Sequence, residues 1–437
     1  MSEAEDAAPA ERPPGWFRFA WFLGRPPPLT PRQWRMLGLV SAVTFFENYD
    51  AFLFSLNLKQ IQAELGIAEA SLGLLGSIVR VGSVLALFVV PFADRLGRRR
   101  VLLATVVGYT VMTALTAVAP NAETFVVLQL LARVFAVAEE LLATVVIVEE
   151  FPAEHRGWGI GAAFAIQACG AGFAALMFTF VDALPFGWRS LYAIGIVPLG
   201  FIAYWRRTLP ETALFTSLER LRVSLPSVPL FANAVRAARE HPRSFWLLVG
   251  MFFALSAVSS PAGFFAPKYL QDVHGWSAAQ VGWLTVGGGA FAIIGNPVAG
   301  WLSDRFGRRP TGSLFLLGYA VALLAFYALT GVVVGFLWVV YVFFSMGSGV
   351  TLSAYSAELF PTSMRSSASG ATNLAGPLGG ILGLAAVSAL FGVVGSNWNA
   401  ILIVAAVALL LPPAMYVLFP ETARRALEDI APERSRS

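Results

Sequence analysis

Cysteine is nearly missing from this sequence, with Cys169 alone among 437 residues. An internal disulfide is therefore excluded, and the three histidines, His155, His241 and His274, are too scattered to suggest a His/Cys metal site. Lysine is almost as scarce, with only Lys59 and Lys268. Charged residues of both signs make up 13% of the chain, against about 25% in a typical soluble protein. A disordered chain would show the opposite bias, and a soluble enzyme would not carry this apolar surplus. No nucleophile–base pair stands out, so an enzyme is not expected. Gly287-Gly288-Gly289 has no basic residue or helix start beside it, which removes a phosphate loop and with it ATP-driven pumping. What fills the chain instead is 57% hydrophobic residues, with a mean hydropathy of +0.69. The net charge of +4 comes from arginines that flank apolar blocks. That is the pattern of membrane topology, not of nucleic-acid binding.

A helix needs roughly 20 apolar residues to cross a ~30 Å hydrocarbon core. Twelve blocks of about that length are present. The first six are 36–58, 70–92, 101–120, 124–148, 158–181 and 188–205. The second six are 244–266, 277–302, 311–331, 334–356, 367–393 and 397–419. With the N-terminus in the cytoplasm, 25 of the 30 basic residues fall on the inner side, so both termini are expected to be cytoplasmic. The first 35 residues are rich in Pro and Arg and show no apolar core of a cleavable signal. Trp16, Phe17 and Trp21, with Arg18 and Arg25, form either a short interfacial segment or a disordered arm. The remaining tryptophans and phenylalanines are expected mostly in interface belts and lipid-facing surface.

An internal repeat sets the architecture. Asp94-Arg95-Leu96-Gly97-Arg98-Arg99 returns 210 residues later as Asp304-Arg305-Phe306-Gly307-Arg308-Arg309. Phe151-Pro152 with Arg156 returns as Phe360-Pro361 with Arg365, 209 residues on. Pro210-Glu211-Thr212-Ala213 returns as Pro420-Glu421-Thr422-Ala423, and Trp188 as Trp398, again 210 on. The expected organisation is an inner N-terminal arm (1–35), a six-helix bundle (36–205), a charged linker (206–243), a second bundle (244–419) and an inner tail (420–437). Parallel repeats of this kind enclose a binding cavity near the bilayer midplane.

These residues resemble the major facilitator superfamily, whose hallmark is the doubled D-R-x-G-R-R loop. The Pro-Glu-Thr and Glu-Phe-Pro…Arg segments resemble sugar porters and their metabolite:proton symporter relatives. Glu47-Asn48-Tyr49-Asp50-Ala51-Phe52 is similar to the first-span signature of those symporters. The resemblance covers about 36–425 and implies an all-α membrane protein of twelve transmembrane helices in two pseudo-symmetric six-helix bundles. It also implies a cytoplasmic gate, in which Asp94, Arg95, Arg98, Arg99 and Arg156 meet Glu149 and Glu150. The second-half counterparts are Asp304, Arg305, Arg308, Glu358 and Arg365. Partly buried Arg–carboxylate pairs there are strong enough to bias a conformational equilibrium, whereas exposed ones are not.

A charge at the bilayer centre costs at least ~2.5–3.5 kcal/mol, so buried ionisable residues are functional candidates by default. They cluster in the first half: Glu47 and Asp50 in span 1, Arg80 in span 2, and Arg133, Glu139 and Glu140 in span 4. Glu47 and Asp50 share a helix face, and with Glu139 and Glu140 they are the candidates for proton coupling. Glu139 and Glu140 point ~100° apart, so only one can face a cavity squarely. The other is expected to contact span 2 or span 5, or to be protonated. Arg80, expected to pair with Asp50 or Glu47, and Arg133 are candidates for an anionic substrate. Tyr49, Gln167, Asn296, Tyr355 and Asn373 are further candidate cavity liners.

The leading expectation is a proton-coupled symporter of a small organic anion or related metabolite, working by alternating access as a monomer in the plasma (inner) membrane. It needs no cofactor besides the proton, and its partners are a small-molecule substrate and the lipid bilayer. Drug:proton antiport and uncoupled facilitation are the alternatives.

Overall fold

The computed structural model describes residues 13–90, 92–152, 154–206, 232–425 and 430. The side chains of residues 94, 95, 98, 99, 197–199, 201–206, 232–234, 362–369 and 371–373 are outside that description. Among the described residues the regular structure is entirely helical, and helix covers each of the twelve apolar blocks.

A nine-residue 3-10 segment, Gly15–Leu23, kinked at Ala20, precedes the first long helix. The first half then holds α1 (Pro31–Leu56), α2 (Leu58–Leu65), α3 (Leu72–Leu85) and α4 (Phe92–Leu96). It continues with α5 (Arg98–Ala117), α6 (Ala122–Glu150), α7 (Arg156–Phe178) and α8 (Trp188–Arg206). Within the expected linker lies α9 (Ala232–Glu240), while residues 207–231 of it fall outside the described set. The second half holds α10 (Pro242–Asp272), α11 (Ala278–Ala292), α12 (Gly295–Phe306) and α13 (Arg308–Ala328). After these come α14 (Val333–Glu358), α15 (Thr362–Val394), α16 (Asn397–Ala406) and α17 (Leu411–Leu418). Nine segments among the described residues are long and apolar enough to cross a membrane. Helices α1 and α6, 26 and 29 residues long, are not among them, because the ionisable residues at their centres dilute their apolar character.

The helix boundaries follow local chemistry. Asn121 caps α6 by accepting from the Thr124 N–H, and Ser277 and Gln280 form a reciprocal capping box on α11. Between α4 and α5 the chain turns at Gly97, φ +93°, and between α12 and α13 at Gly307, φ +109°. No L side chain adopts these angles comfortably, which explains the glycine in both copies of the D-R-x-G-R-R loop.

Two boundaries depart from the sequence reading. Helix α10 runs on to Asp272 rather than ending near 266, carrying Pro261 and Pro267 inside it. Pro267 has no N–H for the Gly263 carbonyl, and the Ser55 hydroxyl takes that place at 3.2 Å, so the helix continues. The block at 277–302 breaks at Ile293–Ile294 into α11 and α12 and extends to Phe306.

The described residues divide into two compact units: those of Met1–Phe54 with Leu85–Leu225, and those of Ser55–Val84 with Pro226–Ser437. Residues 55–84, which the repeat assigns to the first half, therefore group with the second. Small residues allow it: a Cβ on Gly73 would lie 2.6 Å from the Leu384 carbonyl oxygen, and the Ser77 hydroxyl donates to Ile381 O at 2.9 Å.

The repeat is also visible in packing inside each unit. A Cβ on Gly170 of α7 would sit 2.0 Å from Phe45 O of α1. A Cβ on Gly379 of α15, 209 residues on, would sit 2.1 Å from Phe253 O of α10. Both halves thus hold corresponding helix pairs together by glycine-on-carbonyl contact, the close approach typical of membrane helices.

Candidate functional site

Within the first unit, α1, α6 and α7 bound a cavity of about 280 Å³. Glu47 and Asn48 of α1, Arg133 and Glu140 of α6, and Phe164 and Gln167 of α7 are on its wall. The wall is cross-linked by hydrogen bonds. Asn48 Nδ2 donates to Gln167 O at 2.8 Å, and Gln167 Nε2 donates to Glu140 Oε1 at 3.2 Å. Three helices are thereby joined through one glutamine.

Asp50 is not on that wall. It lies one turn beyond Glu47, 4% exposed, against α5. There the Thr113 hydroxyl donates to Asp50 Oδ2 at 3.3 Å. The Tyr109 hydroxyl donates to Phe46 O at 3.1 Å and also faces Asp50. The Arg133 guanidinium is close enough to act electrostatically on Asp50. Asp50 Oδ1 is buried without a hydrogen-bond partner. Arg133 therefore stands between a cavity and a buried acid behind it.

The adjacent glutamates separate as helix geometry requires. Glu140 faces the cavity. Glu139 is fully buried and meets Thr105 Oγ1 of α5 at 3.0 Å. The sequence reading did not include this partner on the third span. Thr105, Tyr109 and Thr113 were not singled out from sequence. Their spacing of four places them on one face of α5, a polar stripe in an apolar span, and that is the signal by which they are legible.

Tyr49 is 1% exposed and its hydroxyl donates to Leu191 O at 2.8 Å, tying α1 to α8. Arg80 belongs to the second unit, where its Nη1 lies 3.2 Å from a Cβ placed on Gly380. Its expected pairing with Asp50 or Glu47 would join residues of different units. Asn296 is half-buried at the start of α12. Tyr355 is fully buried, with its hydroxyl on Pro420 O at 2.9 Å. The Asn373 side chain lies outside the described residues. His274, in the loop after α10, has its imidazole pushed below the usual range by burial, so it stays neutral near pH 7.

At the helix ends that carry the repeated loops, the second unit brings three sequence landmarks into one network. Arg308 Nε and Nη2 donate to Glu358 Oε1 at 3.2 and 3.1 Å, and Nη1 donates to Asp304 Oδ1 at 2.6 Å. Thr422 of the Pro-Glu-Thr segment donates to Glu358 Oε2 at 2.6 Å. Glu421 accepts the N–H groups of Arg308 and Arg309 at 2.8 and 3.1 Å, which caps the start of α13. Arg308 and Glu358 are each 17% exposed, but Asp304 is 69% exposed. The Glu358 pair therefore carries more energy than the shorter Asp304 pair. Arg305 instead stacks on Trp301, 5.4 Å from the ring centroid.

In the first unit Glu150 takes its partner from the start of α1, where Arg32 Nη2 donates to it at 2.8 Å. Arg156 Nε bonds Phe151 O at 3.1 Å, and Glu149 is half-buried beside this pair in sequence. The side chains of Asp94, Arg95, Arg98, Arg99 and Arg365 lie outside the described residues.

The family model of the Major Facilitator Superfamily matches residues 40–279 and 247–435. The putative niacin/nicotinamide transporter of Bacillus subtilis is 26% identical over 378 residues, 83% of this chain and 89% of the relative. The probable 4-methylmuconolactone transporter of Cupriavidus pinatubonensis is 24% identical over 425 residues, 94% of this chain and 95% of the relative. The xylose transporter of E. coli has the same fold, with a TM-score of 0.71 at 18% identity, covering 91% of this chain and 99% of that one. The chain belongs to the major facilitator superfamily, and it is a multi-pass membrane transporter rather than an enzyme.

Proposed function

We propose that this major facilitator transporter is a proton-coupled symporter of a small organic acid. The observation that carries the reading is Arg133, set between the cavity and the buried Asp50. An ionised Asp50 at that depth has the Thr113 hydroxyl at 3.3 Å, the Tyr109 hydroxyl facing it and one oxygen, Oδ1, without a hydrogen-bond partner. Charge there is expensive, and a proton is the inexpensive way to remove it. With Asp50 neutral, its pull on the Arg133 guanidinium is removed, which favours a substrate carboxylate entering the cavity beside Arg133. With Asp50 ionised, carboxylate and aspartate compete for the same cation. Proton and anion therefore bind together, which is the thermodynamic requirement of symport. Glu47 or Glu140, on the same wall, repels an anion when ionised, so a carboxylate is favoured only beside Arg133.

Two further observations support the reading, one from the relatives and one from the size of the cavity. Of the compounds for which these relatives are named, niacin and 4-methylmuconolactone are small rings bearing a carboxyl group, and nicotinamide is the amide of the first. The cavity, about 280 Å³, suits a molecule of that size and offers Phe164 as a flat apolar neighbour. The plasma membrane is the proposed location, and by the arginine distribution both termini lie in the cytoplasm. The protein works as a monomer, and alternating access is its cycle.

The test is uptake into proteoliposomes of radiolabelled nicotinate, benzoate and a sugar control under an inside-alkaline pH gradient. Accumulation of a carboxylate that collapses on adding a protonophore supports the reading. Accumulation independent of the gradient indicates a facilitator, and acid-driven expulsion of lipophilic cations indicates an antiporter.

A further inference from the structure

The segment before α1 was left open by the sequence as either interfacial or disordered. In the structure Gly15–Leu23 is a pair of short 3-10 turns joined across a kink at Ala20, φ −101° and ψ 33°. Phe17 and Ala20 form the inward face and are buried. Phe17 packs edge-on against Trp34 with centroids 5.0 Å apart, and it meets Trp158 at 6.1 Å. Trp16 seats against Gly38, where a Cβ would lie 3.2 Å from its ring. The segment is thus fixed to the first turns of α1 and α7, level with the ends of membrane helices.

Among the described residues, three aromatic rings of the segment are left exposed. Phe19 is 85% exposed, Trp21 80% and Phe22 44%. Arg18 and Arg25 are exposed beside them. Residues 13–46 contain four arginines and no acid, and of these Arg32 is already engaged by Glu150. Aromatic rings facing outward at the depth of helix ends, interleaved with arginines, match the headgroup region of a bilayer, where rings and cations are both accommodated.

We infer that Gly15–Leu23 is an interfacial anchor that inserts Phe19, Trp21 and Phe22 into the adjoining leaflet and binds anionic lipid through Arg18 and Arg25. The occupant is lipid because the segment is docked at the helix ends of a membrane protein and its free charge is of one sign. The anchor also bears on transport. It packs on Trp34 and Gly38 of α1, the helix that carries Glu47 and Asp50 two to four turns further on.

The test uses the full chain with Cys169→Ser, which removes the only native thiol, an exposed one. Single cysteines replace Phe19, Trp21 or Arg25, each carries a nitroxide, and each protein is reconstituted with and without phosphatidylglycerol. Monodispersity in gel filtration establishes that each variant is folded. At residues 19 and 21 the label should meet oxygen more often than a water-soluble nickel chelate, at a depth of about 5–10 Å. Nickel collision should fall several-fold relative to residue 25, and further when phosphatidylglycerol is present. Labels at 19 and 21 as open to nickel as residue 25 would overturn the anchor. Labels shielded from both reagents would mean that a second copy or another protein covers this face. Equal depth with and without phosphatidylglycerol would overturn the part assigned to the arginines.

Discussion

Gly170 gives a sharp test of how the cavity wall is held. Replacing it with alanine sets a methyl group 2.0 Å from Phe45 O and 2.9 Å from Phe45 C, both backbone atoms that no rotamer change can move. Reaching ordinary contact at 3.4 Å requires α1 and α7 to part by about 1.4 Å. Overpacking of this kind costs about 1–3 kcal/mol and more where backbone must shift. Alanine's better helix propensity returns only about 0.8–1 kcal/mol. The net effect of Gly170→Ala is a loss, and it falls on the site as well. Gln167, one turn away on α7, would be drawn from Asn48 and Glu140. Gly172, on the same helix, has nothing within 4 Å of its Cβ position and serves as the control. Thermal unfolding of the detergent-solubilised protein should place Gly170→Ala below wild type and Gly172→Ala at or slightly above it. Uptake should fall only in the first. Equal melting temperatures and equal uptake for the two variants would refute the close contact. Gly379→Ala, its counterpart in the repeat, should lose stability to a similar degree.

Other consequences follow from the same structure. Arg133→Lys keeps the charge but loses the planar fork, so KM for a carboxylate substrate should rise about tenfold, or ~1.4 kcal/mol, with little change in kcat; initial-rate uptake against concentration measures it. Glu358→Gln leaves Arg308 half-buried without its main partner and should lower stability by about 1.5–3 kcal/mol. Asp304→Asn should change it by less than about 1 kcal/mol, because Asp304 is exposed; the reverse order in a melting comparison would contradict the network. Lys268, 3% exposed, pairs with Glu69 at 3.3 Å and with Asp272. Lys268→Met should therefore destabilise, though by less than the ~3–5 kcal/mol of a fully buried pair, since both acids are partly exposed. The loss, read as a melting temperature, is limited further because Asp272 keeps Lys59 at 3.0 Å.

The sequence makes the helices and the repeat legible because apolar length and motif register are local properties. It makes the glycine of each D-R-x-G-R-R loop legible for the same reason, since only glycine suits the positive φ of that turn. Partner choice is not local. That Glu139 and Glu140 diverge follows from adjacency, but that Glu139 meets Thr105 depends on which neighbour α6 faces. Tyr49 and Tyr355 read as polar residues available to a ligand, yet each hydroxyl is spent on a carbonyl of another segment. Residues 55–84 read as first-half residues, and only the packing of Gly73 on Leu384 O and of Ser77 on Ile381 O reveals why they group with the second unit. The prolines of α10 suggest an earlier helix end, and the Ser55 hydroxyl that repairs the break comes from about 200 residues away.

The most direct measurement is proton-coupled accumulation by Asp50→Asn, compared with exchange of labelled for unlabelled substrate across the same proteoliposome membrane. Asparagine is neutral and close in shape, so it mimics the protonated acid and cannot release a proton. Asp50→Asn should retain exchange within a few-fold of wild type and lose uphill accumulation under an imposed pH gradient. Full accumulation by Asp50→Asn would contradict the account, since the proton would then be carried elsewhere.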